Sequence, residues 1–293
     1  MNRKCVITML SVTLLAACGG GGGTSAAVPT TSATATPTPG ATSSPATSSS
    51  AYAAAYKAVS WGSEVTVSFP SACTMTYSTT GEPPYHADYY LAPMAGGSNS
   101  IVAYTPISDT AMYLINWPSS NIVSSTVTVN TCPSKALATT STNMGPIGYT
   151  ITGEALFNPY EATGTPALED NVSYTFTANG VSETAAFIDS CNSHAASVNG
   201  QTLWHYHGVP TCLTQTLDGT GPSHILGFAL DGFPIYGGRD INGNVISVSQ
   251  LDACNGITSA TPEFPNGAYH YVLPIGVTNN RSSLTCYSGT AQQ

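Results

Sequence analysis

The sequence predicts a mostly β fold: a single disulfide-stapled domain built from two homologous halves, with few short helices. Three observations carry this expectation. Runs of β-formers alternate in polarity at Val65-Thr66-Val67-Ser68-Phe69, Ser125-Thr126-Val127-Thr128-Val129 and Ser173-Tyr174-Thr175-Phe176-Thr177. Turn pairs are dense: Asn179-Gly180, Asn199-Gly200, Asp218-Gly219, Asn242-Gly243 and Asn266-Gly267. Segments of the second half repeat those of the first in the same order. Long stretches at helical period are scarce, and one short helix is expected near Glu183 to Ile188.

Composition narrows the function classes. Only 7% of the 293 residues are Asp, Glu, Lys or Arg, while 42% are hydrophobic, so core material is plentiful. Beyond residue 17 the basic side chains are Lys57, Lys135, Arg239 and Arg281, and the formal charge is −9. A nucleic-acid binder needs a basic stripe to neutralise phosphates, so nucleic acid is excluded as a partner. A charge-laced coiled coil is excluded by the same shortage.

The N-terminus reads as an address. Met1-Asn2-Arg3-Lys4 is positive, Cys5 to Leu15 is apolar but too short for a permanent membrane span, and Leu15-Ala16-Ala17-Cys18 supplies small residues before a cysteine. This resembles the bacterial lipoprotein signal, which implies a signal peptide over 1–17 and lipidation of Cys18. Gly19 stands where an inner-membrane retention Asp would be, which implies placement at the outer membrane or cell surface. Residues 18–57 are dominated by Gly, Thr, Ser, Ala and Pro and read as a lipid-anchored low-complexity tether. The membrane is thus a partner through that anchor alone. The folded domain is expected over 58–293, within the size range of one all-β domain.

Eight cysteines are present. Setting aside Cys5 and Cys18 leaves Cys73, Cys132, Cys191, Cys212, Cys254 and Cys286, an even set suited to disulfides in an oxidising compartment. Six cysteines allow 15 pairings, and sequence alone leaves them open. The expected set is Cys73–Cys132, Cys191–Cys212 and Cys254–Cys286, the last two at matching places of the repeat.

The repeat aligns 147–157 with 226–236, so that glycines, apolar residues and aromatics coincide. Ile151-Thr152-Gly153-Glu154 and Leu230-Asp231-Gly232-Phe233 are the expected corners. Each segment is followed by an acidic-x-Cys-Asn unit, Asp189 to Asn192 and Asp252 to Asn255. Each unit is followed by an aromatic-His-Tyr strand, Trp204-His205-Tyr206-His207 and Tyr269-His270-Tyr271-Val272. The halves span about 144–213 and 223–289.

These motifs, with Asp231-Gly232-Phe233-Pro234-Ile235-Tyr236-Gly237 and Leu251-Asp252-x-Cys-Asn-Gly256, resemble the YHYH-domain proteins, secreted proteins of bacteria and eukaryotes. The resemblance covers roughly 144–289 and, more loosely, the segment from Cys73. Trp204 replaces the first Tyr of the motif, Val272 replaces the last His of its second copy, and Ile257 stands where the family often has His. The family implies kinship without a firmly assigned activity.

Six histidines supply the candidate chemistry. On a strand His205 and His207 share a face, two positions apart, so both imidazoles can reach one ion. The repeat adds His270 from the other half, and His194 follows Cys191-Asn192 closely. The expected site is a transition-metal centre of His205, His207 and His270, with His194 as fourth ligand or outer group. Asp189, Asp231, Asp252 and Tyr236 are candidates to orient it. Imidazoles without thiolates in an exported setting favour copper or zinc.

Two other readings stay open: a metal-dependent extracellular hydrolase, and a non-catalytic surface-binding or structural module whose histidines bond to backbone and carboxylates. No Gly-x-Ser-x-Gly elbow, His-Glu-x-x-His helix, P-loop or dinucleotide fingerprint is present. Asp240-Ile241-Asn242-Gly243-Asn244 resembles the start of a calcium loop but lacks its terminal Glu and reads as a turn.

Overall fold

The computed structural model describes residues 49–86, 89–93, 112–116, 122–161, 164–169, 171, 173–198 and 201–291. The signal, Cys18 and most of the tether lie outside these, as does the Asn199-Gly200 turn. The described chain begins with helix α1 (Ser49–Ala58) and continues through β1 (Val65–Ser71), β2 (Thr74–Thr79), β3 (Tyr89–Pro93), β4 (Met112–Asn116), β5 (Ser125–Asn130) and β6 (Lys135–Ser141). The first half of the repeat holds β7 (Pro146–Thr150), β8 (Ala155–Phe157), β9 (Ser173–Ala178), β10 (Val181–Ala186), β11 (Ser193–Val198) and β12 (Gln201–Tyr206), then α2 (Thr211–Leu217). The second holds β13 (Ile225–Ala229), β14 (Pro234–Tyr236), β15 (Gly256–Ser259), β16 (Ala268–Val272) and β17 (Cys286–Gly289).

The core is an eight-stranded sheet of order β11-β12-β8-β7-β13-β14-β16-β15. Read from either edge, strands follow in the same sequence: an antiparallel outer pair, a parallel step inward, a hairpin, then the centre. At the centre β7 pairs with β13, Gly148 opposite Ala229, Tyr149 opposite Phe228 and Thr150 opposite Gly227. The two glycines make this join possible. A Cβ on Gly148 would lie 2.2 Å from the Phe228 carbonyl oxygen, and one on Gly227 would lie 2.2 Å from that of Tyr149. The corners are also alike: Thr150 N–H donates to Glu154 O at 2.9 Å and Ala229 N–H to Phe233 O at 3.0 Å. Gly153 and Gly232 there adopt φ of 123° and 89°, a region glycine enters without steric cost.

Strands β13 and β16 are buried along their whole length, as expected of central strands covered on both faces. The three-stranded sheet β1-β2-β5 contributes Met75, Tyr77 and Val129 to the core, and the Tyr77 hydroxyl donates to Thr150 O at 2.8 Å. Disulfides join Cys73 to Cys132, Cys191 to Cys212 and Cys254 to Cys286.

Two expectations are corrected. The tether was expected to run to residue 57, but Ser49–Ala58 is a helix whose Tyr52 and Tyr56 are buried. These tyrosines lie four apart on one helical face. Their hydroxyls donate to Tyr269 O and Gly232 O, at 3.1 and 2.9 Å, so the helix belongs to the core. The helix expected near Glu183 to Ile188 is instead β10, hairpinned to β9. Asn179 and Gly180, both at positive φ (50° and 79°), form the turn. Turn chemistry and a full antiparallel register decided that segment. Helix α2, with the disulfide-bonded Cys212 at its second position, had no periodic signal to announce it.

Candidate metal centre

Three imidazoles converge at the outer end of the first half. Strand β11 carries His194 directly opposite His205 of β12, and His207 follows two residues on. All three are buried, with at most 1% of their surface exposed. His207 Nε2 lies 3.0 Å from His194 Nε2 and 3.1 Å from His205 Nε2. The three rings present nitrogens that all lie within 4.8 Å of one another, a group able to hold a metal ion.

The outer nitrogens fix what the inner ones can do. His205 Nδ1 faces Leu203 O at 3.1 Å, and His207 Nδ1 faces Asn158 O at 2.7 Å. A carbonyl only accepts, so in both rings Nδ1 carries the proton and the neutral Nε2 is a bare lone pair. Two lone pairs therefore point at each other across 3.1 Å. Protonating the cluster is no remedy, because burial, foremost, pushes His194 down and His205 well down from the ordinary imidazole range. A cation shared by the nitrogens satisfies them.

A fourth donor, absent from the residues singled out in the sequence, completes the set. Glu161 Oε1 lies 3.1 Å from His207 Nε2 and 3.3 Å from His194 Nε2. It is buried, and Oε1 has no hydrogen-bond partner. Burial alone would raise this carboxyl, but the fields of His194 and His207 and contacts with them hold it far below the usual carboxylate range. The side chain arrives from the loop after β8. That loop is closed by Glu161 N–H to Thr165 O and Gly164 N–H to Glu161 O, at 2.9 and 2.8 Å. Asn158, whose carbonyl holds His207, accepts Tyr160 N–H on its own Oδ1 at 2.9 Å. One short stretch thus places both the carboxylate and a ring partner. Extending the repeat alignment by four residues sets Glu161 over Asp240, acid over acid; that was the available signal.

The donor spacing suits a small ion. Metal–nitrogen bonds of 2.0–2.1 Å in a tetrahedron set neighbouring donors roughly 3.3–3.4 Å apart, close to the spacings of 3.0 to 3.3 Å found here. Phe157 stacks on His205 with centroids 3.9 Å apart, and Phe187 lies 4.3 Å from His194, so the donors sit behind apolar rings.

His270 does not join this centre, and the expectation that it would is corrected. It occupies the place in the second half that His205 has in the first, its Nδ1 on Ala268 O at 3.0 Å as His205 Nδ1 is on Leu203 O. Its cross-strand partner is Ile257 where His205 has His194. The backbone N–H of Val272 bonds Asn255 O as that of His207 bonds Asn192 O. Isoleucine and valine thus stand where the first half has ligands, and burial pushes His270 down to about 4.

The expected orienting residues also separate. Asp252 supports its own turn, accepting Cys254 and Gly256 N–H, and takes the Tyr269 hydroxyl. Asp231 accepts the Tyr271 hydroxyl and Gly289 N–H. Tyr236 lies against His270 and donates to Glu263, which also binds the half-exposed His224. Only Asp189 lies beside the first-half cluster, and its Oδ1 accepts N–H groups of Cys191 and Ser193.

Comparison with known families decides the kinship. The family model described as YHYH protein matches residues 126–246 and 240–289. The chain belongs to the YHYH family. No curated protein and no solved structure matches it. The matched residues of this YHYH protein include His194, His205, His207 and Glu161, so its candidate centre lies inside the family domain.

Proposed function

We propose that this YHYH protein is exported, tethered to the cell envelope by a lipid on Cys18, and binds one transition-metal ion, zinc or copper, through His194, His205, His207 and Glu161. The observation that carries the metal reading is the convergence of bare imidazole nitrogens on a buried, unpartnered carboxylate oxygen. Three neutral nitrogens and one carboxylate match the preferences of both metals. The bound ion would supply a positive charge that joins β11, β12 and the loop carrying Glu161.

Burial of every donor supports a resident ion over a hydrolytic one. A hydrolytic metal keeps a position open for water and substrate, whereas the four side chains here are at most 3% exposed. Bonds to backbone alone, the structural reading of the histidines, account for the Nδ1 atoms but leave the facing Nε2 atoms unexplained.

The test is elemental analysis of protein purified without a histidine tag and dialysed against zinc or copper. One equivalent should be retained by the wild type and lost from His207→Ala. A wild type that retains none refutes the metal reading. The anchor is tested separately: radiolabelled palmitate should enter the wild type and not Cys18→Ser, and equal labelling would overturn that part.

A further inference from the structure

Around the three rings, two buried atoms besides Glu161 Oε1 lack a hydrogen-bond partner: His194 Nδ1 and Asp189 Oδ2. The other two ligand rings have their Nδ1 atoms held by carbonyls, so His194 alone lacks a backbone partner for its outer nitrogen. Asp189 is placed to be that partner. Its Oδ1 accepts Ser193 N–H at 3.0 Å and the Ser193 hydroxyl at 2.9 Å, which folds the carboxyl back over the residue preceding His194. Cys191 N–H, at 2.9 Å on the same oxygen, and the Cys191–Cys212 disulfide fix the turn. With Oδ1 taken by three donors, Oδ2 remains to accept one more. Charge on Asp189 also favours protonation of His194, so the two side chains feel each other.

Resting on the metal reading above, we propose that Asp189 is the outer carboxylate of His194, accepting Nδ1–H and holding Nε2 toward the ion. It is a positioning residue. A carboxylate behind a ligating imidazole fixes its tautomer and raises its basicity. Asp189 also lines a cleft of about 310 Å³ together with Tyr85, His86 and the disulfide. The ligand ring farthest from any backbone support is therefore held from a surface cleft.

The second half supplies a control. Asp252 makes the same turn, its Oδ1 accepting Cys254 N–H at 3.0 Å and Gly256 N–H at 2.7 Å, but Ile257 follows in place of His194. Zinc affinity is measured by competition with a chromophoric chelator for wild type, Asp189→Asn and Asp252→Asn. Asparagine keeps Oδ1 for the turn and replaces the Oδ2 acceptor by a donor.

Asp189→Asn should bind zinc about 10- to 100-fold more weakly, and Asp252→Asn should match the wild type. Equal affinity in all three would overturn the role of Asp189 while leaving the metal centre standing. A wild type that binds no zinc overturns both. A second measurement needs no variant. In the zinc-loaded wild type, nitrogen-15 spectra should show His194 protonated at Nδ1 with a strongly downfield proton. A His194 ring bound through Nδ1 would refute the proposal.

Discussion

His205 and His207 owe their role to what their outer nitrogens touch. Because each Nδ1 donates to a carbonyl, each Nε2 must accept, and the pair cannot satisfy itself. Glu161 supplies the negative charge that makes a cation welcome in a buried setting. Glu161→Gln should therefore lower zinc affinity at least about 10-fold, with one ion still bound at saturation; calorimetric titration reads both numbers. His270 gives a residue-scale prediction about pH. Its folded value is about 4 against 6.5 unfolded, so between those pH values the unfolded chain holds a proton that the folded chain refuses. Stability must fall as pH drops through that window, by about 3 kcal/mol from this group. Asparagine can keep the donor to Ala268 O without titrating, so in chelator-treated protein His270→Asn should flatten that part of the slope. Urea unfolding at pH 7, 5.5 and 4 checks it, and an unchanged slope would contradict the assignment. The three first-half histidines were readable because spacing two on a strand puts side chains on one face. Glu161 was not, because its loop has no period and its reach depends on how β8 ends.

At the scale of elements, the join between β7 and β13 is the most constrained contact. Each strand places a glycine where any side chain would strike the other's backbone. Gly148→Ala should cost about 4 kcal/mol or more, by separating the two strands or blocking folding; a thermal midpoint within a degree or two of wild type would show that the join yields. The corners around Gly153 and Gly232 and the hairpin at Asn179-Gly180 were legible because they depend on local φ. Element type was less so. Val181–Ala186 contains Glu, Thr and two alanines, a composition that fits a helix, and became a strand because β9 lay in register beside it. Ser49–Ala58 continues the tether's Ser- and Ala-rich composition, and only docking of Tyr52 and Tyr56 into the core makes it structural. Tertiary packing decided both.

For the whole molecule, the strand order is the same from both edges, while the chemistry is lopsided. The first half keeps His194, His205 and His207, and the second has Ile257, His270 and Val272 at the corresponding places. Sequence alignment pointed to this loss, but it could not show that His270 would stay in its own half instead of crossing to the other. The sheet explains why: β12 and β16 are separated by four strands. If the two ends are equivalent backbones, Ile257→His with Val272→His should let the protein take up a second zinc ion. Native mass spectrometry would then count two ions, and a persistent count of one would mean that the ends differ in shape as well as in side chains.

X-ray absorption of the zinc-loaded, tag-free protein examines the donor set itself. The spectrum should fit about three imidazole nitrogens and one oxygen at roughly 2.0–2.1 Å, with no sulfur, and the imidazole count should fall in His205→Ala. An ion held by sulfur, by fewer than three imidazoles, or not held at all would contradict the centre formed by His194, His205, His207 and Glu161.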